Sequence, residues 1–492
     1  MENYIFGRTK EIQILDAILY SKSSEFIAIY GRRRVGKTYL IREYFSQKTK
    51  DCIYCEVIGI KDGALQDQLE NFAEGLSKTF YKNVPIKPLN NWREALNLLT
   101  NAIESIPKSQ KIVIFFDELP WMATPKSNLL QNLDYCWNSK WSRISNLKII
   151  VCGSAAAWIL ENLINAKGGL HNRLTKTILL EPFNLFETKM FLKHQGIELN
   201  NKQILDIYMV MGGVPFYLKQ IQKGRSAAQN INEICFHQEG FLYNEFNRIF
   251  KSLFDEAEVN LIIIKEIAVH RHGIVRQKLL KKLNMSSGGT FNKRITELET
   301  AGFIQSFTPY GRKIKDHYYK VIDEYTLFYL TWIEPSARSK FKSSQGIYWP
   351  SKVNTGIWCN WVGYAFEQIC YKHTEQIRKA LGIDKIACSI GSWQYIQKKG
   401  NKDPGAQIDL LFDRDDGAIS ICEIKYSDHE FTIDKYYAKN LLNKLETFEK
   451  YSSISAKKQL FLAIVTVDGI KKNIWYEDLI HNQVLLKDIM AF

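Results

Sequence analysis

Short apolar runs alternate with amphipathic stretches along the first 180 residues. The runs FIAIY (26–30), CIYCEV (52–57), KIVIFF (111–116) and LKIIVCG (147–153) have the length of strands. The stretches between them have the mixed apolar and polar character of helices that cover a sheet. This alternation predicts an α/β fold with a parallel sheet.

The pattern changes three times along the rest of the chain. It is helical from 183 to about 250, with a break at MGGVPF (211–216). Residues 255–322 predict a helix, a turn, a second helix and a hairpin. After the polar stretch EPSARSKFKSSQG (334–346), a linker candidate, an α/β pattern runs to the C-terminus. The predicted domains are 1–180, 181–250, 251–335 and 336–492.

The stretch YGRRRVGKT lies between the first predicted strand and a predicted helix. Residues 31–38 fit GxxxxGK[ST], and a strand followed by a helix is the context that this motif requires. Backbone amides of such a loop surround phosphate oxygens, while Lys37 bridges the β- and γ-phosphates and Thr38 ligates Mg²⁺. The alternative is a tight turn without a ligand. The predicted nucleotide-binding residues here are Gly31, Arg34, Val35, Gly36, Lys37, Thr38 and Tyr39.

The apolar run KIVIFF ends in two acidic residues, Asp117 and Glu118. At the end of a strand, Asp117 would lie beside the magnesium ion and Glu118 near the attacking water. Such a pair is typical of hydrolysis rather than of binding alone. An edge strand that enters a turn is the alternative, but together with the loop the pair predicts a P-loop NTPase that hydrolyses ATP.

Several further stretches resemble one known family. They are YIFGRTKEIQIL, FFDELPWM, VCGSAAAW, GGLHNRLTKTILLEPFNLFE and YMVMGGVPFYL. With the phosphate loop, they resemble the archaeal ATPase family of the STAND class, whose relatives include AAA+ and origin-recognition ATPases. The resemblance covers residues 1–250.

This resemblance implies roles for five residues. Gly7 and Arg8 would flank the adenine, and Ser154 would be a polar sensor after a strand. Arg173 would lie near the γ-phosphate, and Pro215, in a helical lid, would pack on the nucleotide. Without the resemblance, Pro215 indicates only a helix break and Arg173 only a surface cation.

Residues 255–322 have the proportions of a winged helix that binds DNA. The basic residues of its second helix and hairpin are Lys293, Arg294, Arg312, Lys313 and Lys315. Side chains at such positions contact phosphates and set the orientation on the duplex. The alternative is a winged helix that serves as a spacer between domains, with solvated charges.

The stretch GAQIDLLFDRDDGAISICEIKYS resembles the core of the PD-(D/E)XK nuclease superfamily. Asp409 lies on one predicted strand, and Glu423 and Lys425 share one face of the next, because residues two apart on a strand project together. Two carboxylates could hold a divalent cation while the lysine orients or deprotonates water. Glu367, on a predicted helix, is the acid that this superfamily often adds.

Two observations leave open whether the nuclease-like domain cleaves DNA. The triplet ExK is common by chance, as Glu187 and Lys189 on a predicted helix illustrate. Gln407 stands where an acid often precedes the sequence ID, which would weaken metal binding. A structural remnant is therefore the alternative to a metal site at Asp409 and Glu423.

Composition and charge narrow the partners and the compartment. The 66 Lys and Arg against 52 Asp and Glu give a net charge of +14, which favours an anionic partner such as DNA. The nine cysteines are odd in number and scattered, which is typical of thiols in a reducing compartment, and Cys52 and Cys55 lack a second pair at zinc spacing. With acids in the first twenty residues and no apolar run of ~18 residues, a cytoplasmic protein without a membrane span is expected.

The sequence as a whole predicts a DNA-associated ATPase, with ATP and Mg²⁺ as cofactors, whose nucleotide state controls a winged helix and a nuclease-like domain. The alternative is a STAND-type signalling or scaffolding switch with slow turnover, an inactive nuclease-like domain and a protein partner. A homo-oligomer is also open, because Arg173 could serve its own subunit or a neighbour. A membrane transporter ATPase is disfavoured by the absence of a spanning or coupling segment.

Overall fold

The structure is a computed structural model of the 492-residue chain, and it describes residues 5–165, 172–312, 317–338, 348–397, 404–452 and 458–491. These residues form two compact units. The first comprises the described part of Met1–Pro182, with Lys251–Ala257 and Lys293–Gly302. The second comprises Phe183–Phe250, Glu258–Asn292 and the described part of Phe303–Phe492. The finer division into four domains stays a prediction.

A five-stranded parallel sheet forms the centre of the first unit. Its strands are β1 (Glu25–Tyr30), β2 (Cys52–Ile58), β3 (Lys111–Asp117), β4 (Leu147–Cys152) and β5 (Lys176–Leu179). Their order in the sheet is β2-β3-β4-β1-β5. The four apolar runs predicted as strands are confirmed as β1 to β4. The sequence does not predict β5, because this edge strand is short and mostly exposed, and so carries no strand pattern.

Helices cover both faces of this sheet, as the alternating pattern predicts. They are α1 (Thr9–Leu19), α2 (Lys37–Ser46), α3 (Leu65–Phe80), α4 (Trp92–Glu104), α5 (Leu119–Met122), α6 (Leu129–Ser139) and α7 (Ala156–Ile159). Successive strand residues enter two separate cores, one on each face. Cys55 belongs to one core and Cys52 to the other. The two thiols of the CxxC stretch therefore point to opposite faces and do not form a shared site.

The segment after this sheet is helical, as predicted. Its helices are α8 (Leu185–His194), α9 (Asn201–Met211), α10 (Pro215–Leu218), α11 (Ala227–Phe236) and α12 (Glu245–Leu253). The predicted break falls between α9 and α10. There the amide of Phe183 donates to the carbonyl of Gly213 at 2.7 Å, and a Cβ at Gly213 would lie 1.7 Å from the carbonyl oxygen of Phe183. The chain crosses itself too closely for any side chain at this position.

A small three-stranded sheet follows, and its strands are interspersed with helices. The elements are α13 (Ala257–Val269), β6 (Ile274–Val275), α14 (Arg276–Leu283), α15 (Gly289–Thr300), β7 (Ile304–Phe307) and β8 (Tyr318–Val321). The strand order is β6-β8-β7, all antiparallel, so the predicted hairpin is present as β7 and β8. This set of strands is called the small sheet below. The winged-helix assignment itself stays a prediction.

The basic residues predicted to contact DNA phosphates differ in exposure. Lys293 and Arg312 are exposed. Arg294 is buried, and its Nη1 lies 3.0 Å from Oε2 of Glu297 one turn along α15. The expectation that Arg294 presents its charge to DNA is therefore wrong in this conformation. Lys313 and Lys315 lie outside the described residues.

The C-terminal block is α/β, as predicted. Its helices are α16 (Glu324–Phe328), α17 (Glu334–Arg338), α18 (Tyr348–Lys352), α19 (Gly356–Lys372), α20 (Thr374–Ala380), α21 (Lys435–Tyr451), α22 (Ile474–Leu479) and α23 (Leu486–Ile489). Its strands are β9 (Cys388–Tyr395), β10 (Ala406–Arg414), β11 (Ala418–Lys425), β12 (Gln459–Thr466) and β13 (Asn482–Leu485). They form a mixed sheet in the order β13-β12-β11-β10-β9, antiparallel from β9 to β11 and parallel from β11 to β13. Among the described residues, no helix is both long and apolar enough to cross a bilayer.

The linker predicted at 334–346 is partly helical instead. Its first residues form α17, and Glu334 pairs with Lys265 of α13, with 2.7 Å between Nζ and Oε1. This ion pair fixes the start of the segment to a neighbouring helix, which a sequence pattern cannot show. Residues 339–347 lie outside the described ranges.

A buried histidine connects two helices of the second unit. Nε2 of His373 accepts the amide of Leu185 at 2.9 Å, and Nδ1 lies 2.7 Å from the carbonyl oxygen of Ile369. Nδ1 therefore donates, and the ring is neutral. Burial lowers the pKa of His373 to about 4, and the charge of Lys372 lowers it further. A protonated ring would also leave the amide of Leu185 without its acceptor.

The second unit should therefore lose stability in acid through His373. A histidine with a lowered folded-state pKa contributes stability above pH 6.5, and this contribution is lost as the pH falls towards 4. The loss amounts to about 3 kcal/mol. Denaturant unfolding at pH 7 and pH 4 should show a smaller decrease for His373→Gln than for wild type. The exposed His429→Gln is the control, and equal decreases in all three proteins would contradict the prediction.

Candidate functional sites

The phosphate loop between β1 and α2 depends on two glycines. Gly31 has φ of 141°, and a Cβ there would lie 2.3 Å from the carbonyl oxygen of Leu180. Gly36 has φ of 93° immediately before α2. Both positions favour glycine for conformational reasons, and at Gly31 there is also no room for a side chain. The loop thereby places its amides at the N-terminus of α2, where an anion is stabilised.

Lys37 lies inside this loop and is buried. Its Nζ donates to the carbonyl oxygens of Gly31 at 2.9 Å and Arg32 at 3.0 Å. An ammonium group has three N–H donors, so one donor is left for a phosphate oxygen. Burial lowers the pKa of Lys37, although the nearby acids oppose this shift. An anion in the loop would stabilise its charged form.

Thr38 and Asp117, the predicted magnesium ligands, lie together. Oγ1 of Thr38 donates to Oδ1 of Asp117 at 3.0 Å. Arg42 of α2 lies on the other side, with its Nη2 3.9 Å from Oδ2 of Asp117 and its Nε 2.6 Å from Oε1 of Glu56. Burial raises the pKa of Asp117, and Thr38 and Arg42 oppose this shift. A hydroxyl and a carboxylate are ligands that suit Mg²⁺, so these residues fit the ion.

Glu118 and Ser154 are also brought together, although 36 residues separate them. Glu118 has a left-handed backbone conformation, and its Oε2 accepts the amide of Ser154 at 2.9 Å and the hydroxyl at 3.0 Å. Burial raises the pKa of Glu118, and the amide of Ser154 opposes this shift. The contact arises because β3 and β4 are adjacent and parallel, so their carboxyl ends meet at one edge.

Arginines surround the phosphate loop. Arg8 is buried and donates through Nη1 to the carbonyl of Glu181 at 2.7 Å and through Nη2 to that of Val35 at 3.1 Å. Gly7 and Arg8 therefore lie beside the loop. Nη1 of Arg33 is buried and has no hydrogen-bond acceptor within the described residues. A bound phosphate would supply the missing acceptor, so the loop fits a polyphosphate.

The remaining predicted nucleotide contacts are placed as follows. Val35 is buried, whereas Tyr39 is 42% exposed. Arg34 has a left-handed backbone, with φ of 71°. Arg173 is exposed, and Pro215 begins α10 in the second unit. The roles of Arg173 and Pro215 towards the nucleotide stay predictions.

The second candidate site lies in the mixed sheet. Glu367 is on α19, Asp409 on β10, and Glu423 and Lys425 on β11. Oδ2 of Asp409 accepts the amide of Ile424 at 3.3 Å. Burial raises the pKa of Glu367 to about 8 and that of Asp409 to about 6, and each is raised further by a neighbouring acid. The predicted helix, hairpin and strand therefore bring these acids within electrostatic range of one another.

Two residues that the sequence did not indicate engage Glu423. Nζ of Lys444 lies 2.7 Å from its Oε2, and the hydroxyl of Tyr437 donates to its Oε1 at 2.7 Å. Lys425 is farther away, at 3.5 Å from Oε1. Burial would raise the pKa of Glu423, but Lys444 and Lys425 hold it below its ordinary value. The sequence contained a signal for this pair: Tyr437 and Lys444 are two turns apart on α21, so both can face the same strand.

These contacts bear on the predicted metal site. Both carboxylate oxygens of Glu423 are already engaged by protein groups. Gln407, which stands in place of an expected acid, donates to Oδ1 of Asp409 at 3.3 Å. Within the described residues, no three His, Cys, Asp or Glu side chains are grouped to hold a metal ion. The metal site at Asp409 and Glu423 therefore stays a prediction, and a cation would have to displace Lys444 or Tyr437 from Glu423.

Comparison with known proteins addresses the first site. Residues 5–221 match the family described as "ATPase domain predominantly from Archaea". This part of the chain is therefore similar to an archaeal-type ATPase domain. This domain includes the phosphate loop, the two acids after β3 and Ser154. It agrees with the resemblance found in the sequence over 1–250.

More distant similarities extend over a larger part of the chain. An uncharacterized protein of Methanocaldococcus jannaschii, MJECL04, is 25% identical over 467 residues, which cover 92% of this chain and 95% of that protein. The Walker-type ATPase PABY2304 of Pyrococcus abyssi has a TM-score of 0.49 and 17% identity, and the match covers 66% of this chain and 96% of that one. The ORC2 protein of Aeropyrum pernix, in ADPNP-ADP complexes, has a TM-score of 0.43 and 14% identity, with coverages of 70% and 98%. The ATPase assignment rests on the family match and the loop geometry rather than on these distant structures.

Proposed function

We propose that the archaeal-type ATPase domain binds and hydrolyses ATP with Mg²⁺, and that the chain works in association with DNA. The observation that carries the ATPase proposal is the contact between Thr38 and Asp117 beside a phosphate loop. It joins the two protein groups that a nucleotide-bound magnesium ion requires. Glu118, held by Ser154 at the same edge of the sheet, supplies a carboxylate for the attacking water.

Each residue of this site has a proposed task. Lys37 and the loop amides bind the β- and γ-phosphates, and Glu118 orients the water and accepts its proton. Mg²⁺ held by Thr38 and Asp117 would neutralise phosphate charge. Arg173 would add charge near the γ-phosphate. Gly7 and Arg8 would flank the adenine, and Pro215 would pack on the nucleotide, as the family resemblance implies.

Calorimetry tests the nucleotide site directly. Titration of the folded full-length protein with ATP in magnesium buffer should release or absorb heat and saturate at one site. Addition of EDTA should weaken this binding and reduce phosphate release to background, because Thr38 and Asp117 would lose their shared ion. A folded protein that shows no heat with ATP and magnesium would refute the proposal.

Ser154 is expected to set the turnover rate through Glu118. Ser154→Ala removes one hydrogen bond to a charged carboxylate but leaves the backbone amide contact. Turnover should fall roughly tenfold with little change in ATP affinity, since such a bond contributes about 1.5 kcal/mol. Steady-state phosphate release gives both constants. The exposed Ser142→Ala is the matched control, and wild-type turnover in Ser154→Ala would contradict the role.

Association with DNA is supported by charge. The chain carries a net charge of +14, and Lys293 and Arg312 are exposed on the predicted winged helix. Binding that neutralises phosphates releases counterions, so the affinity for duplex DNA should fall steeply as salt rises. Anisotropy titrations between low and physiological salt measure this slope. An affinity that does not depend on salt would reject DNA as the partner.

The alternative is a STAND-type switch with an inactive nuclease-like domain and a protein partner. The engagement of Glu423 by Lys444 and Tyr437 favours the inactive domain. Plasmid and single-stranded DNA, incubated with Mg²⁺ or Mn²⁺, should stay intact with wild type and with Glu423→Ala if this holds. If wild type cuts DNA and Glu423→Ala does not, the nuclease-like domain is active and this alternative is wrong. Gel filtration with a non-hydrolysable nucleotide tests the switch, which predicts a change in mass without DNA.

A further inference from the structure

A small cavity lies in the second unit between the small sheet, α19 and strands β9 and β10. Its volume is about 50 Å³. That is enough for a few water molecules or for one compact polar group. Basic residues, acids and a tyrosine line this cavity. They include Arg271, His272, Lys320, Glu367, Tyr371 and Asp409.

Lys320 of β8 is the unusual residue in this lining. The residue is 6% exposed. Among the residues that the structure describes, its ammonium forms no hydrogen bond or ion pair, although Glu367 is close enough to favour its charge. Its Nζ instead lies 3.9 Å from the ring centroid of Tyr371 and 5.1 Å from that of Phe307. Burial lowers the pKa of Lys320 to about 8, although Glu367 opposes the shift. Lys320 lines the cavity without a hydrogen-bonded carboxylate, and an anion in the cavity would stabilise its charge.

The rest of the basic side is held in place. Nη1 of Arg271 donates to the carbonyl of Asn360 at 3.2 Å, which leaves most of its guanidinium donors available. Nδ1 of His272 lies 3.3 Å from Nε2 of Gln407 and therefore accepts from this amide. Burial, with a contribution from Arg271, lowers the pKa of His272, so the ring is neutral at pH 7. Lys320 and Arg271 are therefore the cations of the cavity.

The small sheet is attached firmly enough to position Lys320. The amide of Tyr310 donates to the carbonyl of Ser392 on β9 at 2.8 Å. The hydroxyl of Tyr310 donates to Oδ2 of Asp413 on β10 at 2.7 Å. These contacts extend from the turn after β7 to the mixed sheet that carries Asp409. The strand that carries Lys320 and the strand that carries Asp409 are therefore held next to each other across the cavity.

We propose that this cavity binds a single phosphate group of a nucleic acid strand and that Lys320 is its main cationic contact. The proposal rests on the DNA association proposed above and identifies where in the second unit the backbone is held. One tetrahedral phosphate suits a cavity of this size, and its oxygens would accept from Lys320 and from the Arg271 donors that Asn360 does not engage. Free phosphate and a strand phosphate share this chemistry, so the experiment must separate them.

The test measures binding to the full-length protein in EDTA, where neither cleavage nor ATP hydrolysis is needed. The probes are inorganic phosphate and a labelled single-stranded oligonucleotide, with and without a 5′-phosphate. Lys320→Met should weaken oligonucleotide binding roughly tenfold, as expected for a lost charge-assisted hydrogen bond. The slope of log affinity against log salt should fall by about 0.7. The exposed Lys487→Met removes one charge from the same unit and should change neither value.

The outcomes distinguish phosphate binding in the cavity from the association of the protein with DNA. If phosphate competes with the oligonucleotide in wild type but not in Lys320→Met, the cavity accepts free phosphate as well as a strand. A gain in affinity from the 5′-phosphate that is lost in Lys320→Met would show a preference for strand ends, which supports the same site. Phosphate binding that requires Lys320, in a protein that binds no oligonucleotide, would keep the site but refute DNA association.

Wild-type affinity and salt slope in a folded Lys320→Met protein would overturn the proposal. Thermal unfolding shows whether this variant is folded. If it is not, Arg271→Met gives a second test, since Lys320 and its aromatic contacts are then intact. Arg271→Met should weaken phosphate and oligonucleotide binding several-fold, and unchanged binding by this variant would also overturn the proposal.

Discussion

Lys37→Ala is expected to abolish ATP hydrolysis. The substitution removes a buried ammonium that donates to two loop carbonyls and has one donor left for phosphate. It removes the positive charge beside the β- and γ-phosphates, where negative charge shifts towards the leaving group in the transition state, and such losses reduce turnover about 100-fold or more. Phosphate release at saturating ATP and calorimetric titration measure turnover and affinity. Both should decrease, because Lys37 acts on the bound and the reacting nucleotide.

The controls distinguish lost chemistry from lost folding. Lys50→Ala removes an exposed lysine shortly after α2 and should hydrolyse ATP at the wild-type rate. Lys37→Ala should retain a cooperative unfolding transition, because its alanine still fits the start of α2. Equal rates above background for wild type and Lys37→Ala would show that the observed hydrolysis does not come from this loop. The ATPase proposal would then fail.

Gly213→Ala is expected to cause the largest loss of stability. A Cβ at this position would lie 1.7 Å from the carbonyl oxygen of Phe183 and 2.7 Å from its amide nitrogen. Neither group can rotate away, since both belong to the backbone and the amide of Phe183 donates to Gly213 itself. The two segments would have to separate, which also disturbs the contact of the Tyr208 hydroxyl with Phe183. We expect a loss of about 4 kcal/mol or more.

Gly363→Ala is the matched control for this substitution. Gly363 lies inside α19 in the same unit, and outside the local helix backbone no heavy atom of the described residues lies within 4 Å of a Cβ built there. Alanine should be neutral there or stabilise the helix by about 0.5–1 kcal/mol. Denaturant unfolding monitored by circular dichroism measures both variants. Similar stabilities of Gly213→Ala and Gly363→Ala would show that the crossing at Phe183 is looser than the structure indicates.

The second site shows why charged clusters are difficult to assign from sequence. Glu423 and Lys425 share a strand, so their proximity follows from the period of a strand alone. Lys444 belongs to a helix that begins ten residues after the strand ends, yet it is the closer cation to Glu423. A lysine on an amphipathic helix usually extends into solvent. Its partner is decided by how α21 packs on the sheet, and no local pattern records this packing.

The same limit applies to Lys320 and Arg294. Lysine and arginine side chains usually extend into solvent, but both of these residues are buried. Lys320 is buried because β8 is the central strand of the small sheet and is covered by aromatic rings. Arg294 pairs with Glu297 within its own helix. Net charge therefore indicates a kind of partner, but it does not show which cations are available to that partner.

The sequence by itself determined the parallel sheet, the phosphate loop and the acids that follow β3. These features depend on local rules: the length of apolar runs, the freedom of glycine and the strand-to-helix order of the motif. Only the tertiary structure decided which distant groups meet, such as Glu118 with Ser154 and Glu423 with Lys444. Those contacts depend on strand order and helix packing, which sum many weak interactions across the chain and leave no signature in any short segment.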